Sequence, residues 1–464
     1  MRLNYFNFDK FEDKYLLTND FGNHIFVSHQ EFKKLLQGSL ASDSSIYRLL
    51  LERGFVYEGS DLDFSSRKKY ELRSAKQYLN YSTSLHIFVL TTACNLRCVY
   101  CQANNGRECS NLVMDSSTAR KAVDIALQSP TKFLSFEFQG GEPLLNFKIL
   151  KEIVEYTQEK KGGHEISFSI VSNLTLLTDE HIGFFRDHNI SVSTSIDGPA
   201  QLHDINRPKP DCVQGSFHQT VSALQKLRYN GIEGGAIQTT TRQSLGYAKE
   251  IVYLYRTIGL TSVFLRPLTP LGKASARWNE IGYTPSEFLG FYEQALREII
   301  EVNKEGYQLK EAHAGILMKK ICGEGVNYME LRSPCGAGYG QLAYFADGNI
   351  FTCDEGRMFY EMGDDSFKLG NVNKDSFESI TSCSTCKTVC KASVLECLPS
   401  CADCIWQPYC GVCPVVNYAK TQDLIEKEPN GYKCQIFSGM LRIIFGIIKN
   451  GTQLEKEILM SWAS

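Results

Sequence analysis

The sequence predicts an α/β protein. Its centre is a partial (β/α)6 barrel, with a small strand-then-helix module before it and a cysteine-rich domain after it. Three observations predict this. Apolar strand-like runs alternate with helical periodicity six times between about residues 85 and 270. Residues 1–80 place strands first and helices second. Of 17 cysteines in 464 residues, eleven lie beyond residue 322, in a stretch with little regular periodicity. The expected domains are therefore 1–80, 81–322 and 323–464.

Bulk properties exclude several classes. Hydrophobic residues make up 43% and charged residues 22%, as in an ordinary soluble globular protein. A formal net charge of −3 gives no electrostatic basis for binding nucleic acid or an anionic membrane. The opening MRLNYFNFDKFEDKY lacks the apolar core of a signal peptide, and LRIIFGII is too short to cross a bilayer. The expected location is the cytoplasm. A reducing compartment argues against a disulfide framework. Closely spaced thiols there point to metal or iron–sulfur ligation.

In chain order, NYFNFDKF and KYLLTNDFGNHIFVS read as strands, with Asn19-Asp20-Phe21-Gly22 as the hairpin connection. HQEFKKLLQG and SSIYRLLLERG follow at helical spacing and stop at Gly38 and Gly54. This pattern predicts a compact winged-helix-like module, suited to binding an extended peptide along a strand edge or serving as a packing extension. The six barrel strands are SLHIFVLT, KFLSFEFQG, EISFSIVSN, ISVSTSIDG, GGAIQTTT and SVFLRPL. Helices SSTARKAVDIALQ, FKILKEIVEYTQEK, TDEHIGFFRDH, SFHQTVSALQKLRYNG and GYAKEIVYLYRTIG separate them. Six units are too few to close an eight-stranded barrel, so a partial barrel or an open wound sheet is expected, with its chemistry at the C-terminal strand ends. Residues 284–322 read as helices. From 335 to 434 a long irregular region needs something to hold it, and metal clusters would.

The chemistry starts in TTACNLRCVYC. Cys94, Cys98 and Cys101 lie directly after the first barrel strand, and FQGGEP follows the second strand in the same way. Three thiolates from one short loop hold three irons of a four-iron cluster and leave the fourth open. Zinc with a distant fourth ligand is the alternative. The pattern Cys94-x-x-x-Cys98-x-Tyr100-Cys101 resembles the signature of radical S-adenosylmethionine (SAM) enzymes. That resemblance implies a [4Fe-4S] cluster whose open iron is chelated by SAM. Reductive cleavage then yields a 5′-deoxyadenosyl radical that abstracts a substrate hydrogen. It also implies that Gly140, Gly141 and Glu142 of GGEP receive the cofactor's amino group. Ser172 and Asn173 would contact the ribose, while Ser195 and Arg207 line the cofactor site together with Tyr100.

The C-terminal cysteines resemble the SPASM extension, which carries two auxiliary [4Fe-4S] clusters in peptide-modifying relatives. The resemblance assigns Cys401, Cys404, Cys410 and Cys434 to the second auxiliary cluster. Cys335, Cys353 and Cys413 fall to the first, where Cys335, Gly348 and Cys353 fit C-x12-G-x4-C. Two departures stand out. Only Gly411-Val412 separates Cys410 from Cys413, where the family has three residues. The first auxiliary cluster also lacks a clear fourth ligand, for which Cys383, Cys386, Cys390 and Cys397 are candidates. The alternative is a fourth iron open to substrate, and the Cys383–Cys386 pair reads equally as a zinc knuckle or as unligated thiols. Cys109, Cys212 and Cys322 read as buried small hydrophobes. Asp354 stands where sulfatase-maturating relatives carry a proton-accepting aspartate, though Glu355 and Arg357 make an ion pair an equal reading.

Over nearly the whole chain the sequence resembles radical SAM/SPASM maturases of the His-Xaa-Ser peptide system, the HxsB-type partner. The segments carrying this include FQGGEPLLNF, SNLTLLTDEHI, STSIDGPAQLHDINRP and DEGRM. The resemblance implies modification of a ribosomal precursor peptide, crosslinking included. It also implies a low-potential electron donor of flavodoxin or ferredoxin type, and a second radical SAM maturase as partner. Formylglycine formation in sulfatases is the enzymatic alternative, and a non-catalytic iron–sulfur or zinc scaffold the other.

Overall fold

The computed structural model describes residues 1–103, 111–210, 215–426 and 431–463. Cys109 and Cys212 lie outside them.

The N-terminal region is built as its sequence pattern predicts. Strand β1 (Arg2–Leu3) later pairs with β5 (Val56–Tyr57). Between them β2 (Asn7–Phe11), β3 (Lys14–Thr18) and β4 (His24–Val27) form an antiparallel sheet in that order. The turn after β3 is closed by Asn19, whose carbonyl accepts the Gly22 N–H at 2.9 Å. Helices His29–Leu36 and Ser45–Glu52 follow, each with a serine N-cap. Leu17, Ile25, Val27, Phe32, Leu35 and Leu50 give this region its own small core.

Six strands carry the barrel: β6 (Leu85–Thr91), β7 (Phe133–Gly140), β8 (Glu165–Val171), β9 (Ile190–Ser195), β10 (Gly234–Thr239) and β11 (Ser262–Arg266). All pair in parallel and in sequence order. The intervening helices include Ser116–Ala126, Phe147–Lys160, Asp179–Asp187, Phe217–Tyr229 and Ala248–Thr257. Strand period decides which face they cover. On β7, Leu134, Phe136 and Phe138 are buried with Ala122, Ile149 and Ile153 of those helices, while Ser135, Glu137 and Gln139 take the opposite face.

The sheet does not stop at six strands. Strand β12 (Lys310–Glu311) joins β11 in parallel at one edge, and β13 (Gln341–Tyr344) joins β6 in parallel at the other. Strands β14 (Asn349–Phe351) and β15 (Lys368–Asn371) then continue antiparallel, giving ten strands in one open sheet. The sheet therefore runs on past residue 322, where the sequence reading placed a domain boundary.

The cysteine-rich stretch is also more regular than its pattern indicates. Helices Asp354–Glu361, Phe377–Ser382, Ser384–Lys391 and Pro414–Thr421 span it. At six to eight residues each, they complete about two turns, too few for a periodic signal to register. LRIIFGII belongs to the 19-residue helix Tyr432–Asn450, packed on Pro285–Lys304. No helix among the described residues is long and apolar enough to cross a membrane.

Candidate active site

The loop after β6 is held at the C-terminal strand ends by three sets of contacts. The first comes from β7. Gly141 N–H donates to Thr91 O at 2.7 Å and Glu142 N–H to Ala93 O at 2.8 Å. A Cβ on Gly140 would stand 2.3 Å from Thr91 O, and one on Gly141 would stand 2.1 Å from Ala93 O. Gly140 also has φ +140°, a backbone conformation that favours glycine. The glycines therefore let the second strand end lie directly against the cysteine loop.

Glu142 makes the next link. Its carboxylate is fully buried; Oε1 accepts from Ser172 Oγ at 2.8 Å and Oε2 from Asn173 N–H at 2.8 Å. Burial raises its carboxyl to about 7. The sequence reading gives this carboxylate to a cofactor amine; in the structure it also links the ends of β7 and β8. Asn173 then reaches the loop, donating from Nδ2 to Asn95 Oδ1 at 3.0 Å and lying 3.9 Å from Cys94 Sγ.

The third set comes from β9. Ser195 is its half-buried last residue, level with Ile237 on β10. Two residues on, fully buried Asp197 accepts from Tyr100 OH at 2.6 Å and Arg207 Nε at 3.1 Å on one oxygen. The Arg207 guanidinium lies over the Tyr100 ring at 5.2 Å, with Nη1 4.0 Å from Cys98 Sγ. Burial alone would lower the Arg207 pKa; Asp197 and Tyr100 outweigh it and raise it. Backbone bonds from Arg97 and Val99 to Pro208 and Asn206 complete the clamp.

These contacts suit three cluster-bearing thiolates. Burial pushes the Cys94 thiol up to about 12 and Cys101 to about 11, and each rises further through a neighbouring thiol. Such thiols need a cationic partner to ionise. Two N–H donors, from Asn173 and Arg207, are already aimed at their sulfurs, the kind of outer contact that tunes metal-bound thiolate. Among the described residues, no three Cys, His, Asp or Glu side chains converge as around a single ion.

The C-terminal thiols gather in two further places. Cys335, Cys353 and Cys413 share one buried cluster with Val389 and Val415. Burial raises Cys353, and the charges of Glu355, Cys413 and Cys335 add to it. Lys433, 3.3 Å from Glu330, faces Cys413 and Cys335. Cys401, Cys404, Cys410 and Cys434, with Cys413, line one cavity of about 410 Å³. That volume and donor set fit a cluster-sized group. Within the short Cys410–Cys413 spacing the chain runs hard against its neighbour: a Cβ on Gly411 would stand 2.3 Å from Glu330 O.

Asp354 is committed elsewhere. It opens the helix capped by Cys353 and accepts from Arg357 Nε at 2.7 Å, with Arg357 also 2.5 Å from Glu361. The ion pair of the sequence reading is present. Cys322, expected to be buried, is exposed at the C-cap of helix Ala312–Ile321.

Several site residues escaped the sequence reading. Asp197 lies inside the quoted STSIDGP, but nothing in its spacing marks it as the hub of the clamp. Arg266, at the end of β11, is 3.5 Å from both Glu330 and Glu355. With Lys433 they form a charged network between the barrel and the Cys335 region.

Residues 88–245 match the radical SAM superfamily. An uncharacterized protein of Methanocaldococcus jannaschii is 32% identical over 187 residues, 40% of this chain and 63% of that one. The serine-type anaerobic sulfatase-maturating enzyme of Bacteroides thetaiotaomicron is 29% identical, and the match spans 42% of this chain and 49% of that enzyme. The chain thus spans about half of one of these relatives and under two thirds of the other. A cysteine-type anaerobic sulfatase-maturating enzyme of Clostridium perfringens is 22% identical, covering 78% of this chain and 96% of that one. Among solved structures, native anSMEcpe with bound AdoMet matches at TM-score 0.68 and 19% identity, over 81% of this chain and 99% of that one. Streptococcus suis SuiB bound to precursor peptide SuiA matches at 0.53 and 14%, over 92% and 99%. Likeness at these identities concerns the fold alone. The scaffold reading gives way to an enzyme.

Proposed function

We propose that this chain, a radical SAM enzyme, modifies a ribosomally made precursor peptide in the manner of HxsB-type maturases, by hydrogen abstraction leading to a crosslink or desaturation. The observation that supports it best is the seat of the N-terminal sheet. Phe8 and Asp9 of β2 help line the cavity that Cys401, Cys404, Cys410 and Cys434 surround. Asn7 Nδ2 donates to Cys404 O at 3.0 Å, and Thr18 Oγ1 to Ile405 O at 2.8 Å. Strand β2 lies at the sheet edge, with Tyr5 and Phe8 about half exposed. A peptide added along that edge would start beside one thiol site and extend toward the next.

In this reading residues 1–80 are a winged-helix-like leader-recognition module. Residues 81–322 are the barrel with its following helices, and 323–464 a SPASM domain. Cys94, Cys98 and Cys101 hold the first cluster, Cys335, Cys353 and Cys413 the first auxiliary one, and Cys401, Cys404, Cys410 and Cys434 the second. With SAM bound, the first cluster supplies the hydrogen-abstracting radical. The chain's own part is to hold that site. Gly140 and Gly141 seat the loop against β7, and Asn173 and Arg207 direct N–H groups at its sulfurs. Ser172 and Ser195 stand at the strand ends around it, and Tyr100 within the loop. A flavodoxin- or ferredoxin-type donor, a second radical SAM maturase and a cytoplasmic setting complete the proposal.

Formylglycine formation is a second reading, favoured by the near-complete span of the cysteine-type relative. The pairing of Asp354 with Arg357 weighs against its use as a base. One experiment separates them. The protein is coexpressed with small peptides encoded beside it, and separately incubated anaerobically with SAM, reductant and a sulfatase-derived peptide. Loss of two hydrogens from a neighbouring peptide, with no change in the sulfatase peptide, is expected. Formylglycine in the sulfatase peptide alone would reverse the order. Alanine at Cys94, Cys98 and Cys101 should abolish SAM cleavage, whereas alanine at Cys401 and Cys404 should retain some cleavage and lose peptide product.

A further inference from the structure

Three thiols remain outside these sites and stand together. Cys383 caps helix Ser384–Lys391, its sulfur accepting the Cys386 N–H at 3.5 Å. Cys390 is one turn beyond Cys386, so both face the same side. Cys386 is buried, while Cys383 and Cys390 are half-buried. Cys386 feels the charges of Cys383 and Cys390, whereas Cys335 feels that of Cys413, and Cys353 those of Cys413 and Cys335. Cys386 and Cys383 also pack in the main core, whereas Cys335, Cys353 and Cys413 pack in a cluster of their own. The sequence left it as a source of that group's missing ligand; the structure gives it neighbours of its own.

Those neighbours point to a ligand. Arg332 is 1% exposed and lies between the rings of Tyr78 and Tyr339, at 5.1 and 4.9 Å. Its Nη2 is buried with no hydrogen-bond partner, and so is the Tyr339 hydroxyl. Arg332 and Tyr339 both lie within electrostatic range of Cys390. An unpaired buried guanidinium N–H is destabilising unless something accepts from it. The loop Cys335–Gly338 closes the near side: Gly338, at φ +83°, leaves 3.0 Å between its Cβ position and Cys386 Sγ. Ser393 Oγ holds that loop by accepting the Cys335 N–H at 3.1 Å.

We propose that Cys383, Cys386 and Cys390 bind a further iron–sulfur cluster, with the Arg332 guanidinium and Tyr339 hydroxyl as hydrogen-bond donors to its anionic sulfurs. Three soft thiolates and two spare donors suit an anionic iron–sulfide core. Zinc is not favoured, because the trio does not converge as around a single ion.

The test is metal and sulfide counting on the full chain reconstituted anaerobically. Cys383→Ala/Cys386→Ala/Cys390→Ala should lose up to about four iron and four sulfide per chain, with a matching loss in the Mössbauer spectrum, while SAM cleavage persists and shows that the barrel is intact. A single Cys383→Ser variant, at the half-exposed position, should show partial loss and covers the case in which the triple variant fails to fold. Iron and sulfide equal to wild type in both variants would overturn the proposal. Stoichiometric zinc released by the substitutions would overturn it too. A Cys383–Cys386 disulfide in protein isolated anaerobically would do the same, and would assign the pair to thiol exchange.

Discussion

Asp197 carries more of the first thiol site than any cysteine neighbour does. One carboxylate oxygen takes both the Tyr100 hydroxyl and the Arg207 guanidinium, and Arg207 in turn lies beside Cys98. All of this is buried. Removing the carboxylate leaves a guanidinium in the interior with no anion, which is the costly way to break a buried pair. Asp197→Ala should destabilise the cluster-free protein by about 3–5 kcal/mol, read as a lowered denaturant midpoint. Asp197→Asn keeps an acceptor for Tyr100 but no charge for Arg207, so it should fall between. Both variants should hold less iron at the first site, because the clamp on Cys98 loosens. An alanine variant as stable as wild type would show that the hub is dispensable.

At the level of elements, the junction between β7 and the cysteine loop decides whether the site forms. Gly141 approaches Ala93 O so closely that any side chain must push the two strand ends apart. Gly141→Ala should therefore lower both SAM cleavage and iron at the first site, with a stability cost of about 1–3 kcal/mol from overpacking. Auxiliary iron should be retained. Equal iron loss from every site would instead mean that the whole sheet had shifted. The barrel elements were legible because each has a clean period: LHIFVLT and FLSFEFQG read as strands, and FKILKEIVEYTQEK reads as the helix it forms. Cysteine spacing likewise revealed the thiol groups. Strands β13 to β15 were missed because they are three or four residues long and become strands only by adding to an existing edge. Tertiary pairing supplies what local pattern lacks. The same holds for Asp197, Arg332 and the Glu330–Lys433–Arg266 network, whose partners lie far apart in sequence and meet only once the sheet has formed.

In the whole molecule, first and last segments meet over the cysteine-lined cavity. Phe445, on the C-terminal helix Tyr432–Asn450, is fully buried. It touches His24 and Phe26 of β4 on one side, at centroid distances of 5.0 and 6.3 Å. On the other it meets Trp406 and Tyr409 of the Cys404–Cys410 loop, at 5.3 and 5.6 Å. Tyr409 OH adds a hydrogen bond to Gly22 O at 2.9 Å, and Lys449 pairs with Glu12 and Asp13. The Glu12 and Asp13 carboxylates are solvent-exposed, so these ion pairs contribute little, and the aromatic contact carries the docking. Phe445→Ala should cost about 3–5 kcal/mol. It should also act on two regions at once, raising protease cleavage between residues 58 and 84 and lowering iron at the Cys401–Cys434 site. Lys449→Ala, by contrast, should change stability by under about 1 kcal/mol. If Phe445→Ala released the N-terminal sheet but left that iron intact, the module would be docked on the cavity without supporting it. If iron fell while proteolysis stayed unchanged, Phe445 would belong to the cysteine loop alone. The joint response is expected because one ring bridges both.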